Sequence, residues 1–318
     1  MMRALVPAQV LLFIPTLVAN PPSLGQDYPV KPVRIFTSPA GGGGDLAARL
    51  ISQGISGPLS QQVIVDNRVT ILANELAAKS PPDGYNLLVT GGSLLTYPLL
   101  YKAAFNVTDF VPITQITREI SILAVHPSIP ARSVKELIAL AKARPGELNY
   151  AFVPSASANQ LAGELFKSMA GVNIVSVAYK GSAPTVTAVM SGEAQMTMAD
   201  PALILPQARS GRLKALAVSS ATPSVLAPGL PTVAASGLPG YEMVGMTSLY
   251  APIKTPAAII NRLNQEVVKL LNQSEVKERF IKSGVEAAPS TPEELAATIK
   301  IELAKAAKVI KDAGIKGS

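Results

Sequence analysis

The chain has 318 residues, 48% of them hydrophobic and only 15% charged, which is enough for two domains with cores of their own and too apolar for a disordered chain. It holds no cysteine and a single histidine, so thiol chemistry, disulfides and Cys/His zinc sites are excluded. The net charge of +7 is spread along the chain without a basic block, and tryptophan is absent, which argues against a nucleic-acid surface and leaves positive charge to attract anionic ligands.

In chain order the first feature is a leader-like segment. Arg3 precedes an apolar run from about Val10 to Ala19, too short to span a bilayer, and small residues stand at Ser23 and Gly25. Pro7, Pro15 and Pro21-Pro22 argue against a buried helix there. The pattern predicts a signal peptide over 1–25 with cleavage near Gly25–Gln26, and no cysteine follows to carry a lipid.

From Lys31 onward β-branched runs alternate with helical periodicity. "VRIFTS", "QQVIVDN" and "YNLLVTGG" read as strands, with "DLAARLISQGIS" and "ANELAAKS" as helices between them. "SVKELIALAKARPGEL" opens on Ser133 three residues before Glu136, a capping-box spacing, and "ANQLAGELFKSMAG" closes on Gly171. "LNYAFVP", "NIVSVAY", "APTVTAVMSGEAQMTMA" and "RLKALAVSS" continue the alternation, the signature of an open, largely parallel sheet. Two helical stretches with Thr-Pro starts and Gly stops end the chain. "SILAVHPS" and "MTSLYAP" are the candidate crossings between two domains, whose facing strand ends would enclose a cleft.

Chemistry-bearing residues are few. His126 stands where a strand enters a turn, and no Gly-x-Ser-x-Gly elbow exists to make it a catalytic base. Glu164 and Glu193 fall in helix-like patterns expected to face solvent, so no acid pair converges and no enzyme is predicted. The most distinctive stretch is "RIFTSPAGGGGDLAARL". Four glycines, Gly41 to Gly44, follow a strand and precede a helix, a geometry suited to holding an anion on backbone amides or to a plain flexible turn. A phosphate loop would need Gly-Lys-Ser/Thr, and a dinucleotide fingerprint would need glycine where Leu46 stands.

Taken in order, "YPVKPVRIFTSPAGGGGDLAARL", "VIVDNR", "PPDGYNLLV", "SVKELIALAKARPGELNYA", "LAGELFKSMAGVNIVSVAYKGSAP", "LPTVAASGLPGYE" and "LYAPIKTPAAIINRLN" resemble the extracytoplasmic substrate-binding proteins of tripartite tricarboxylate transporters, the Bordetella uptake gene family. The resemblance covers nearly the whole mature chain. It implies an α/β periplasmic-binding-protein (flytrap) fold of two domains, each a mainly parallel sheet flanked by helices, with the ligand cleft between them. Domain I would comprise 27–122 plus 248–318, with the C-terminal helices packed on it, and domain II 123–247. It further implies a monomer in the periplasm that uses no cofactor or metal, captures a small organic carboxylate, and presents it to membrane permease subunits or, in another use, to a sensor domain.

Carried over residue by residue, the resemblance implies ligand contacts from Thr37, Ser38, Gly41, Gly42, Gly43, Gly44 and Asp45 in the first domain. Asp45 would lie beside the ligand, with a helix N-cap as the other reading. In the second domain the contacts would come from Ser155, Ser157, Tyr179, Gly181 and Asp200, Asp200 having a loop-capping role as its other reading. Three departures stand out. The family's second glycine loop after Asn-Arg is replaced by "VTILANELAAKS", shorter and without glycine. Thr37 and Ser38 replace a proline and an aromatic, and Gln160 stands in place of a histidine.

Overall fold

The computed structural model describes residues 28–41, 43–154 and 157–315. The expected signal peptide, Gly42 and Ser155 lie outside the described residues. The elements run β1 (Val33–Thr37), α1 (Gly43–Ser56), β2 (Val63–Asn67), α2 (Thr70–Ala78), β3 (Asn86–Thr90), α3 (Ser93–Leu100) and β4 (Phe110–Glu119). There follow β5 (Ile122–Val125), α4 (Val134–Ala143), β6 (Asn149–Phe152), α5 (Ala158–Ala170), β7 (Val175–Ala178), α6 (Ser182–Met190), β8 (Met196–Ala199), α7 (Pro201–Arg209) and β9 (Lys214–Val218). The chain closes with β10 (Gly245–Pro252), α8 (Ala257–Leu271), α9 (Ser274–Lys282), β11 (Glu286–Ala287) and α10 (Pro292–Asp312).

Among the described residues these strands form two sheets, ordered β11-β4-β10-β3-β1-β2 and β7-β6-β8-β5-β9. The chain therefore builds the first sheet with β1 to β4, leaves it for the second, and returns through β10. Each sheet contains a strand received from this exchange that opposes its neighbours: β10 is antiparallel to β3 and β4, and β5 to β8 and β9. β11 is also antiparallel to β4, and the β1–β2, β1–β3, β6–β7 and β6–β8 pairings are parallel, so the sheets are mixed rather than uniform.

The parallel strands β1 to β3 have loops at their carboxyl ends that lie along one sheet edge, and so do β6 to β8. These two edges face each other where the chain crosses. The crossings are laced together. Ser121 donates its N–H to Ser219 Oγ at 2.9 Å, Ser219 donates its own to the Ser121 carbonyl at 2.8 Å, and Met243 donates to the Ser219 carbonyl at 3.0 Å.

Apolar faces at helical spacing hold each lobe. In α1, Ala47, Ala48, Ile51 and Ile55 are fully buried against β1, β3 and α8, where Leu263 and Val267 are buried in turn. Each large aliphatic side chain so covered contributes roughly 1.5–3 kcal/mol. In the second lobe Tyr150, Phe166 and Tyr241 are fully buried, and Tyr241 donates its hydroxyl to the Ala162 carbonyl at 2.8 Å. Gly171 ends α5 in the left-handed region at φ 61°. A capping box at Thr291 and Glu294 starts α10.

That last helix corrects one expectation. Its Leu295 and Ile299 belong to the first-lobe core, whereas Ala306, Val309 and Ile310 join the core of the second. A helix of 21 residues with one continuous apolar stripe reaches both, so α10 does not pack on the first lobe alone.

Candidate functional site

Two adjoining cavities, of about 260 and 320 Å3, open at the facing strand ends and share Glu119, Ser157 and Ala158. The first is walled mainly by the second lobe. Val153 and Ser157–Gln160 come from the β6–α5 junction, Ser182 and Thr185 from the start of α6, and Ala199 and Asp200 from the end of β8. The other draws on the first lobe through Thr70, the Gly91–Ser93 turn, Thr96, Gly245 and Met246.

Three helices begin at the second-lobe wall. Ser157, Gly181 and Asp200 are the N-cap residues of α5, α6 and α7, and Gly181 holds φ 113°, which a residue with a Cβ resists. Neither the Ser157 nor the Asp200 side chain caps its own helix. The first turns of α5 and α6 line the cavity through Ala158–Gln160 and Ser182, an arrangement whose amides and partial positive charge favour an anionic group, whereas α7, which opens on Pro201, reaches it only through Asp200.

Asp200 makes a different contact. Its carboxylate accepts from Asn159 Nδ2 at 3.0 Å, and Asn159 Oδ1 accepts from Ser121 Oγ at 2.6 Å. One line of hydrogen bonds thus joins the start of α7, the start of α5 and the crossing between lobes. Tyr150 donates to the Asn159 carbonyl at 2.8 Å from beneath.

Glu119 is the last residue of β4 and stands opposite Gly245 in the ladder. Its Oε1 accepts from Thr247 Oγ1 at 2.8 Å and Thr117 Oγ1 at 3.2 Å. Burial pushes its carboxyl above the ordinary range, the two hydroxyls oppose that, and the Asp200 charge adds to it.

The first-lobe residues expected at the ligand are arranged otherwise. Thr37, Ser38, Gly41, Gly43, Gly44 and Asp45 do not line these two cavities. Asp45 sits inside the first turn of α1 rather than ahead of it, which corrects the N-cap reading. It is also buried, with its carboxylate engaged by three donors and outside the lining of both cavities. Oδ2 accepts from the Gly41 N–H at 2.9 Å, and Oδ1 accepts from Asn67 Nδ2 and Arg49 Nε at 2.8 Å each. Burial alone would raise its carboxyl, but these three donors together hold it below its ordinary value.

Asn67 further donates to the Ser38 carbonyl at 2.7 Å, and the Arg68 N–H to the Thr37 carbonyl at 2.9 Å. A Cβ on Gly44 would fall 2.7 Å from Ser38 Oγ, so glycine there serves close packing. The glycine loop is tied to its own helix through Asp45 and to the end of β2 through Asn67 and Arg68.

The shortened second loop is a two-residue link, Arg68-Val69, between β2 and α2, with Val69 at φ −55° and no side-chain cap. Such backbone forms no amide nest. Tyr179 lies outside both cavities, its hydroxyl donating to Glu193 at 2.8 Å. Glu164 is buried, not solvent-facing, accepting from Lys167 at 2.8 Å and Ser176 at 2.6 Å. The His126 Nδ1 pairs with Ser128 at 2.7 Å in its turn.

Comparison with known proteins decides the family. The model of the tripartite tricarboxylate transporter family receptor matches residues 47–315. The chain belongs to this receptor family. Receptors of this kind are periplasmic solute-binding proteins, so the chain is a binding protein and not an enzyme. The match begins just after the glycine loop.

Among family relatives, Protein BugT of Bordetella pertussis is 31% identical over 317 residues, covering 97% of each chain. The solved structure of R. palustris Rpa4515 with adipate is 33% identical with a TM-score of 0.75, covering 92% of this chain and 100% of that one. MatC from Rhodopseudomonas palustris with bound malate is 25% identical with a TM-score of 0.70, covering 89% and 100%. These likenesses show the two-domain receptor fold.

Glu119, Asn159, Gln160, Thr185 and the Gly91–Ser93 turn line the cleft without having been singled out as its ligands from sequence. The Gly-Gly pair after a β-branched strand was the available signal for the turn. For Glu119 it was an acid immediately before a candidate crossing.

Proposed function

We propose that the protein is an extracytoplasmic receptor that captures a small organic carboxylate between its lobes for the permease subunits of a tripartite tricarboxylate-type transporter. The observation that carries this reading is the opening of the first turns of α5 and α6, beside Asp200 at the head of α7, onto a cleft between the lobes. Relatives solved with adipate and malate support it. In this reading 1–25 is removed on export to the periplasm, and the bodies 27–122 plus 248–318 and 123–247 close over the ligand about the Ser121–Ser219 crossing.

The two-residue link after Asn67 favours a second reading, in which the same cleft takes a ligand outside the usual set or reports it to a membrane sensor domain.

A thermal-shift screen against C4 and C6 diacids, citrate, acidic amino acids and aromatic acids tests the proposal. A ligand at about 100 times its dissociation constant adds about 2.7 kcal/mol, a shift of several degrees. Stabilisation by at least one carboxylate is the expected result. A cooperatively unfolding sample with no shift across the panel would refute carboxylate capture.

A further inference from the structure

The charge inside the cleft narrows the ligand class, on the reading that this cleft is the carboxylate site. Glu119 Oε1 is held by two hydroxyls, but Oε2 has no hydrogen-bond partner among the described residues and stands against Gly245, where a Cβ would lie 3.0 Å from it. Asp200 is held by Asn159 and shares the same cavity wall.

Among the described residues lining the two cavities there is no lysine or arginine. Of the cations nearest in sequence, Arg118 pairs with Glu242 at 3.0 Å and Lys305 with Glu302 at 2.7 Å, while Lys180, two residues before Ser182, is exposed and lines neither cavity. Of the three acids lining the two cavities, Glu302 is neutralised by Lys305, which leaves Glu119 and Asp200 facing a confined space whose other lining offers positive charge only from helix N-termini. That balance suits one anionic group at the α5 and α6 N-termini. It opposes a second anionic group near Glu119, where like charges in a confined site repel. Among the described residues no group of three or more acidic or histidine side chains could hold a metal ion, so an organic cation fits the pair better than a metal.

We propose that the ligand carries an ammonium group as well as a carboxylate, the ammonium seated between Glu119 Oε2 and Asp200 and the carboxylate turned to the N-termini of α5 and α6. Asp45, the other acidic residue at a strand-to-helix junction, is closed to this role by Gly41, Arg49 and Asn67. Because Glu119 sits at the crossing between lobes, neutralising it also removes a repulsion that closure would strengthen.

Calorimetric titration with matched pairs tests this directly: malate against aspartate, 2-hydroxyglutarate against glutamate, and adipate against 6-aminohexanoate. The ammonium member of the tightest pair is expected to bind at least about tenfold more tightly. Glu119→Gln is expected to erase most of that ratio by weakening the ammonium member and strengthening its partner. Asp200→Asn, which keeps the Asn159 contact, is expected to reduce it less and serves as the second variant should Glu119→Gln fold poorly. Malate, 2-hydroxyglutarate or adipate binding as tightly as its amino counterpart would overturn the proposal while leaving carboxylate capture standing. An amino preference unchanged in both variants would overturn it as well. A folded protein that binds no member of any pair would refute the carboxylate reading and this inference together.

Discussion

Asp45 and Asp200 occupy matching places, each an acid at the junction of a strand and the helix that follows, yet the two lobes use them in opposite ways. Asp45 takes three internal donors and locks the glycine loop to Asn67 and Arg49. Asp200 leaves its own helix uncapped, touches Asn159, and looks into the cleft. A carboxylate whose acceptor positions are filled from within the chain is structural, whatever its sequence context. One held on a single side beside a cavity is available to a ligand. The first lobe's junction is closed, and the second lobe's is open.

The largest perturbation strikes beneath the open junction. A Cβ at Gly163 would lie 2.1 Å from the buried Tyr150 ring, which also carries the hydroxyl that holds Asn159. Gly163→Ala is expected to cost about 3 kcal/mol, with a fall of several degrees in Tm and loss of ligand binding. A variant that keeps its Tm would show that the α5–β6 packing does not support the site.

Asp45→Ala should cost about 2 kcal/mol, because Gly41, Asn67 and Arg49 lose their acceptor together, while the order of ligand preference stays unchanged. A changed preference with an unchanged Tm would reverse the contrast between the two acids. The same residue sets a pH dependence. Its carboxyl is held below the ordinary 3.8, so its contribution is complete above that value and disappears as pH falls through the lowered folded-state one. Urea midpoints measured from pH 7 down to pH 3 should show the wild type converging on Asp45→Ala only at the acid end.

The smallest effect on stability belongs to Asp200→Asn, expected within about 0.5 kcal/mol because no helix cap or buried network depends on the charge. Its effect falls on ligand choice. A large loss of Tm here would place Asp200 with Asp45 as a structural acid.

Much of the fold was legible because periodicity and caps agreed with the tertiary structure along most of the chain. The α1, α4 and α5 stretches and the strands before them were readable from spacing, Ser133 and Gly171. The less legible elements carry prolines. Pro98 lies inside α3, and Pro112 lies inside β4, where the ladder to β10 shifts register near Tyr250. A proline that the tertiary structure accommodates reads locally as a break.

Of the second-lobe residues the resemblance implied, Ser157 and Asp200 line the cleft, whereas Gly181 and Tyr179 do not. The first-lobe half of the site was not legible, because the resemblance pointed to a glycine loop that Asp45 has closed. No local pattern reports that Asn67, 22 residues away, supplies the closing amide. Glu119 is silent in the sequence for the same reason: only the return of β10 places Gly245 and Thr247 beside it.

The measurement that tests the account most directly is a crystal structure of the protein with the tightest-binding compound of the carboxylate panel. The account predicts density in the cleft, a carboxylate against the first-turn amides of α5 or α6, and the opposite end within hydrogen-bonding distance of Glu119 or Asp200. Density at the Gly41–Asp45 loop, with Asp45 released from Asn67 and Arg49, would contradict it.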